Sequence, residues 1–260
     1  MAEGYSVYLH IPFCVRKCPY CDFVSYVPHD YGEVNIYVAA LKREMKLRFS
    51  GNAGGETRTL YIGGGTPSYL SGPDISDLIA EVGKYLPFAA DAEVTVEINP
   101  GTADREKLAS FRAAGANRLS VGAQSFDDEL LAAMGRIHCS EDTKETVRLA
   151  QEVGFTNINL DLIFGLPGQS LDEWQDTLAC AVELHPTHIS TYALEVSPLT
   201  PWGREDPGLP AEDEVAAMYI AAIEFLTGSG YEHYEISNFA LPGFQCRHNL
   251  VYWEREDYLG

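Results

Sequence analysis

Three cysteines near the start of the chain are spaced closely enough to bind one metal centre. Cys14, Cys18 and Cys21 follow the pattern C-x3-C-x2-C within the segment HIPFCVRKCPYCDF. Pro19 disfavours helical geometry at Cys18, so this segment is predicted to be a loop. Three neighbouring thiolates repel one another unless a cation or a cluster neutralises their charge. The spacing therefore predicts a metal-binding loop.

Two kinds of metal centre fit this spacing. Zinc would need a fourth ligand, for which His10 or His29 is available. An iron–sulfur cluster is normally held by four cysteines, and a cluster with three leaves one iron free for another molecule. The other cysteines, Cys139, Cys180 and Cys246, are scattered along the chain. The spacing alone leaves both metals open.

A glycine-rich segment, YIGGGTPS, follows the second predicted strand. Gly63, Gly64 and Gly65 would let the backbone approach a ligand closely and point N–H groups at a carboxylate. Thr66 would add a hydroxyl group. A simple tight turn is the alternative reading of these glycines.

Polar residues also occur at or just past the ends of predicted strands. They are Glu97 in VEINP, Gln124 in VGAQSF, Arg136 in MGRIH and Asp161 in NLDLIFGLPGQ. A sulfonium, a ribose diol and a carboxylate are bound by acidic, amide and guanidinium groups respectively. Taken singly, each of these residues is more simply explained as a solvated loop residue, but four on one rim favour a ligand site.

The elements that position these residues alternate between strand and helix. The predicted strands cover residues 5–10, 57–62, 93–98, 118–122, 157–163 and 188–194. The predicted helices cover residues 31–49, 73–86, 104–114, 140–153 and 171–184. Ser170 and Glu173 have capping-box spacing, and Gly115 and Gly154 are placed to end their helices.

This alternation requires crossover connections and therefore a parallel sheet. Six such units predict an α/β fold, an open or partial (β/α)6-type barrel with the helices outside. The loops after the strands then share one rim, where ligands bind in this architecture. The cysteine loop, the glycine turn and the polar residues are thereby predicted to converge.

The chain changes character after residue 194. SPLTPWGREDPGLP is dense in Pro and Gly and is predicted to be a linker, followed by a helix over 211–229 and a short strand over 231–236. We therefore divide the chain into a barrel core, residues 1–194, and a linker with the start of a C-terminal region, residues 195–260.

Composition limits the classes of partner. The formal net charge of −20 over 260 residues argues against nucleic acid, because binding phosphates requires an excess of Lys and Arg. The sequence contains neither an apolar stretch long enough to span a bilayer nor an N-terminal signal pattern. We therefore expect a cytoplasmic protein without an integral membrane segment.

The ordered motifs HIPFCxxxCxxC, IGGGTPS, EINP, VGAQSF, GRIH and DLIFGLPGQ closely resemble the oxygen-independent coproporphyrinogen oxidase group of the radical S-adenosylmethionine (SAM) superfamily. The resemblance covers nearly the whole chain. It implies a [4Fe–4S] cluster held by the three cysteines, with SAM on the open iron. It also implies that the SAM contacts are Tyr8, Gly64, Glu97, Gln124, Arg136 and Asp161. Tyr20, Gly65 and Thr66 match positions near a second SAM in the oxidases.

One position separates two subgroups of this family. The oxidases have a further cysteine, needed for turnover, where this chain has Phe23. The chain instead resembles the radical SAM haem chaperones (the HemW group), whose HNxxYW pattern appears here as His248, Asn249, Tyr252 and Trp253. This resemblance implies haem as a ligand, a haem-acceptor protein and an electron donor protein as partners. The oxidase remains the alternative function, so enzymatic activity stays open, and a zinc-stabilised binding module is a third possibility.

The HNLVYW segment is the candidate haem contact. His248 is the expected haem ligand, with the Cys246 thiolate as an alternative. A packed aromatic pair with a hydrogen-bonded histidine is the competing reading. Because members of the group continue into a further C-terminal domain, the end of this chain suggests a fragment.

Overall fold

The computed structural model describes residues 4–49 and 55–260, which form strands and helices in alternation. The strands are β1 Gly4–Ile11, β2 Glu56–Gly64, β3 Phe88–Ile98, β4 Arg118–Gln124, β5 Asn157–Phe164, β6 His188–Ala193, β7 Glu232–His233, β8 Asn238–Ala240 and β9 Tyr258–Leu259. The helices are α1 Tyr31–Phe49, α2 Gly72–Tyr85, α3 Arg105–Ala113, α4 Asp128–Ala133, α5 Ser140–Glu152, α6 Leu171–Glu183, α7 Pro201–Glu205, α8 Glu212–Gly228 and α9 Arg247–Trp253.

All nine strands join one sheet in the order β7-β8-β6-β5-β4-β3-β2-β1-β9. Strands β1 to β6 are parallel, and β8 adds to β6 in the antiparallel direction. Among the described residues β1 does not pair with β6, so the sheet is an open, partial barrel. The predicted α/β fold with a parallel barrel core is confirmed.

The two faces of the sheet differ in chemistry because side chains alternate along each strand. The outward residues are apolar and pack against the helices, as Leu60 and Ile62 do on β2. The inward residues of the same strand are Thr59, Tyr61 and Gly63. We call the space enclosed by the inward residues the lumen. Polar side chains line it from β2 to β6.

Helix ends follow the sequence signals. Ser170 and Glu173 form the predicted capping box of α6, in which the Ser170 hydroxyl accepts from the Glu173 backbone N at 3.2 Å. Gly115 and Gly154 follow α3 and α5 with φ of 106° and 95°, a region that favours glycine. No helix among residues 4–49 and 55–260 has the length and apolar character needed to cross a bilayer.

The region after residue 194 differs most from prediction. The predicted linker contains the short helix α7, and only Glu232–His233 of the predicted strand over 231–236 is extended in the sheet. Strands β8 and β9 and helices α4 and α9 were not predicted, because each is too short to show a period in the sequence. The boundary at residue 194 stays a prediction, and strands that follow it pair in the same sheet as β1 and β6.

Gly154 and Gly228 form a matched pair for measuring the cost of a left-handed φ, since a Cβ on either meets no atom within 4 Å. Gly154→Ala should lower the free energy of unfolding by about 1 kcal/mol because its φ is left-handed. Gly228→Ala, at the end of α8, should raise it by roughly 0.5 kcal/mol. Chemical denaturation of both variants measures this difference, and equal effects would contradict it.

Candidate functional site

The three cysteines lie on a loop after β1 that is fixed by its own backbone. The Cys14 N–H donates to Tyr26 O at 3.0 Å, and the Tyr26 N–H donates to Pro12 O at 2.8 Å. The Lys17 ammonium donates to the carbonyl oxygens of Phe23 and Ser25. These contacts form the loop into a closed turn, which we call the cysteine loop, residues 12–26.

The glycine turn packs directly against this loop, because β1 and β2 are adjacent parallel strands. The Gly65 N–H donates to Ile11 O at 2.8 Å. A Cβ on Gly65 would lie 2.9 Å from Phe13 O and 3.0 Å from Cys14 Sγ, so only glycine fits there. The Thr66 hydroxyl lies 3.6 Å from the same sulfur and donates to it. Two of the predicted residues thus contact a predicted metal ligand.

Arg136 is connected to the glycine turn by Asn99, a residue that was not predicted from the sequence. Asn99 donates through Nδ2 to the Thr66 hydroxyl at 2.9 Å and accepts from Arg136 Nη2 at 2.7 Å. Arg136 Nη1 lies 3.9 Å from Cys18 Sγ, and its buried Nε has no hydrogen-bond partner. Asn99 is two residues after Glu97, so strand period alone could have placed both on one face.

The thiols do not form a site for a single ion. Within the two described stretches, no three His, Cys, Asp or Glu side chains are placed to share one metal ion. His10 instead shares hydrogen bonds with the Tyr8 hydroxyl and Val24 O. The mononuclear zinc alternative is therefore not supported, whereas a cubane binds each thiolate to a different iron. Burial raises the pKa of Cys21, so metal binding there has to displace a proton.

Glu97 lies in the lumen below the glycine turn, with both carboxylate oxygens bonded. Oε1 accepts from the Tyr61 hydroxyl at 2.8 Å, and Oε2 accepts from the Gly64 N–H at 3.0 Å. Burial raises the pKa of Glu97 to about 7, and the nearby Asp161 carboxylate adds to the shift. At neutral pH the carboxyl group is therefore poised between its two protonation states.

Asp161 and Gln124 complete the polar wall of the lumen. Asp161 lies inside β5, deeper than the predicted rim position, and accepts from Ser120 and Asn159 at 2.8 Å each. Burial raises the pKa of Asp161. Gln124 ends β4 with a left-handed φ of 67°, a strained conformation for a residue with a side chain.

Tyr8 and Tyr20 lie in different surroundings. Tyr8 faces the lumen and stacks on Tyr61, with ring centroids 6.2 Å apart. Tyr20 lies on the cysteine loop against Trp202 of α7, with centroids 5.7 Å apart, and burial raises its pKa. The predicted SAM contacts therefore reach the site from the lumen and from the cysteine loop.

His248 is a packed, hydrogen-bonded histidine, as in the alternative to haem ligation that the sequence left open. It is 1% exposed, and its ring nitrogens share hydrogen bonds with the Thr59 hydroxyl at 2.8 Å and the Tyr252 hydroxyl at 2.9 Å. Burial and Arg118 lower its pKa to about 4. In this arrangement both imidazole nitrogens are engaged in hydrogen bonds, and the role of haem ligand stays a prediction.

Cys246, the alternative haem ligand, lies in a buried, hydrogen-bonded position, and its role also stays a prediction. Its thiol is buried and donates to Glu93 Oε1 at 3.6 Å. Burial raises its pKa to about 12, so ligation by the Cys246 thiolate would have to displace this proton.

Residues 8–181 match the sequence model of the radical SAM superfamily. The solved structure of coproporphyrinogen III oxidase (HemN) from Escherichia coli, described as a radical SAM enzyme, superposes with a TM-score of 0.86 and 32% identity, covering 97% of this chain and 58% of that one. The fold and the cysteine loop are therefore those of a radical SAM protein.

Two relatives of similar sequence indicate to which group within the superfamily the chain belongs. Heme chaperone HemW of Escherichia coli K12 is 45% identical over 98% of this chain and 68% of its own length. Heme chaperone HemW of Haemophilus influenzae Rd is 41% identical over 98% of this chain and 67% of its own length. The chain belongs to the HemW group of the radical SAM superfamily, and it spans about two thirds of the length of these relatives.

Membership of the superfamily implies a [4Fe–4S] cluster and SAM as cofactors. The residues present fit a cluster at the cysteine loop. Because Gly65 has no Cβ, the glycine turn packs closely against Cys14 without a clash, and the Arg136 guanidinium beside Cys18 offsets thiolate charge. The buried Nε of Arg136, which has no partner, is a donor available to an anionic ligand.

Gly65→Ala tests the fit of the cysteine loop. Because the added Cβ would clash with Phe13 O and Cys14 Sγ, we expect iron and sulfide per chain after anaerobic reconstitution to fall by about half or more. Gly228→Ala, whose Cβ meets nothing, should load like the parent chain. Full loading of Gly65→Ala would show that the close packing is not needed.

The raised pKa of Glu97 predicts a pH-dependent affinity for SAM, whose sulfonium is cationic. The pKa of Glu97 is about 7, so its carboxyl group is mostly neutral at a lower pH and mostly charged at a higher pH. SAM binding should therefore tighten by about tenfold from about pH 6 to about pH 8. Glu97→Gln should flatten this profile, and Glu106→Gln, an exposed carboxylate on α3, should not. An unchanged profile in Glu97→Gln would exclude Glu97 as its source.

Proposed function

We propose that this chain is a haem chaperone that binds haem, carries a SAM-ligated [4Fe–4S] cluster and transfers haem to an acceptor protein. Its partners are then haem, the acceptor and an electron donor protein. The similarity to relatives named heme chaperone supports this function. The free cysteines of the described chain fit a cytoplasmic location.

The observation that carries the proposal is the exposed phenyl ring of Phe23 on the cysteine loop. This ring is 66% exposed on the cysteine loop, at the position where the resembling oxidases have a catalytic cysteine. It lies in a run of exposed apolar side chains with Val24, Tyr26 and Val27. A loop with this surface lacks the thiol for oxidase turnover and offers apolar contact to a porphyrin.

We assign the site residues as follows. Cys14, Cys18 and Cys21 hold the cluster. Glu97 and Asp161 face the sulfonium of SAM, Gln124 its ribose, and Arg136 its carboxylate. Tyr8, Tyr20, Gly64, Gly65 and Thr66 complete the SAM surroundings. The bound cluster would supply one electron to SAM, while this chain's residues orient SAM and exclude water.

The same lumen admits a second candidate, oxidative decarboxylation of coproporphyrinogen III. The structural likeness to coproporphyrinogen III oxidase favours it, since the TM-score is 0.86. Phe23 argues against it. The two functions differ in their product, which makes them separable by one assay.

We expect the anaerobically reconstituted chain to bind haem with a shifted Soret band. Incubated with coproporphyrinogen III, SAM and a reductant, it should form no protoporphyrinogen IX. Phe23→Ala should weaken haem binding by about fivefold through lost apolar contact. Leu47→Ala, an equally simple truncation of an exposed residue on α1, should not.

The outcomes of this experiment are distinct. Protoporphyrinogen IX as a product would replace the chaperone with the oxidase. An unchanged haem spectrum would remove haem binding from the proposal. Equal haem affinities for the Phe23 and Leu47 variants would exclude the cysteine loop as the haem-contacting surface.

A further inference from the structure

Three rings connect helix α9 to the lumen. The imidazole of His248 stacks on Tyr61, with centroids 5.2 Å apart and an interplanar angle of 29°. Tyr8 stacks near both, 6.2 Å from Tyr61 and 6.5 Å from His248. The hydroxyl of Tyr61 donates to Glu97. The ring of His248 therefore lies against the ring that orients the lumen carboxylate.

His248 is itself fixed from several sides. Its ring nitrogens are bonded to Thr59 on β2 and Tyr252 on α9. Its backbone N–H donates to Glu93 Oε1 at 3.0 Å, and the preceding N–H of Arg247 donates to Glu93 Oε2 at 3.1 Å. Because the imidazole is hydrogen-bonded at both nitrogens and the backbone of His248 is held by Glu93, the orientation of the ring against Tyr61 is fixed.

The Glu97 carboxylate depends on this arrangement. One of its oxygens is held by Gly64 in the glycine turn, and the other only by Tyr61 among the contacts described. Without the ring of His248, Tyr61 gains room to tilt and its hydroxyl leaves Oε1. The carboxylate would then keep one hydrogen bond instead of two and lose its fixed orientation.

We propose that His248 is a positioning residue for SAM binding. It holds Tyr61, and Tyr61 fixes the Glu97 carboxylate that faces the sulfonium. The proposal rests on the assignment of Glu97 under the proposed function. It gives the HNLVYW segment a role at the SAM site, reached from the opposite end of the lumen, in place of haem ligation.

The principal test is the SAM affinity of anaerobically reconstituted His248→Ala. We expect its dissociation constant to rise about tenfold, the effect of losing a hydrogen bond to a charged group. Haem titration of the same variant should match the parent chain. His233→Ala is the matched control, because His233 also stacks on an aromatic ring, Phe239 at 4.3 Å, but lies outside the Tyr61 stack.

Two further variants trace the path. Tyr61→Phe keeps the ring and removes only the hydroxyl, and should weaken SAM binding by a similar factor even if His248→Ala folds poorly. The double variant Tyr61→Phe/His248→Ala should bind SAM no more weakly than Tyr61→Phe alone, since both changes remove the same interaction, the hydrogen bond from Tyr61 to Glu97. His248→Phe keeps an aromatic face against Tyr61 and should recover most of the lost affinity.

The results separate this inference from the assignment beneath it. If Glu97→Gln binds SAM like the parent chain, the Glu97 assignment fails and the inference fails with it. A second outcome is that Glu97→Gln weakens SAM binding while His248→Ala raises the SAM dissociation constant no more than His233→Ala does. In that case only the positioning role of His248 fails. Multiplying effects in the double variant would also overturn it. Loss of the haem spectrum with unchanged SAM affinity in His248→Ala would make His248 a haem residue instead.

Discussion

The polar inner face of the sheet is the constraint on which the structure depends. Burying a hydrogen-bonding group without a partner costs free energy, so the carboxylates of the lumen are stable where the barrel supplies donors to them. Asp161 finds Ser120 and Asn159, and Glu97 finds Tyr61 and the glycine turn. The side chains proposed to bind SAM are therefore held in place by their neighbours before any ligand arrives.

The same constraint joins the two ends of the lumen. At the carboxyl ends of the strands, Asn99 connects Thr66 to Arg136 beside the cysteine loop. At the amino ends, Glu93 holds the start of α9. Tyr61 and Glu97 lie between these ends, so a change at α9 reaches the glycine turn through two hydrogen bonds and a ring contact.

Sequence periodicity predicted the parallel strands and most of their helices, because both are local patterns. The glycine turn was also predictable, since its position after β2 is fixed by the sheet order. The surroundings of His248 were not, because Thr59 lies 189 residues away in sequence and no short-range pattern encodes that contact. Tyr61 and Asn99 were missed for a different reason: each lies two residues from a predicted site residue, Gly63 or Glu97, but its hydrogen-bond partner is remote in sequence, Glu97 for Tyr61 and Arg136 for Asn99.

The conformation of the cysteine loop bears on how two functions can arise from one fold. The loop is held by backbone hydrogen bonds and by Lys17, and none of these contacts uses the side chain at position 23. A thiol or a phenyl ring can therefore occupy that position without altering the placement of the metal-binding cysteines. The phenyl ring points outward and adds apolar surface next to them. The placement of the cysteines and the chemistry of the exposed side chain at position 23 are therefore independent properties of the loop.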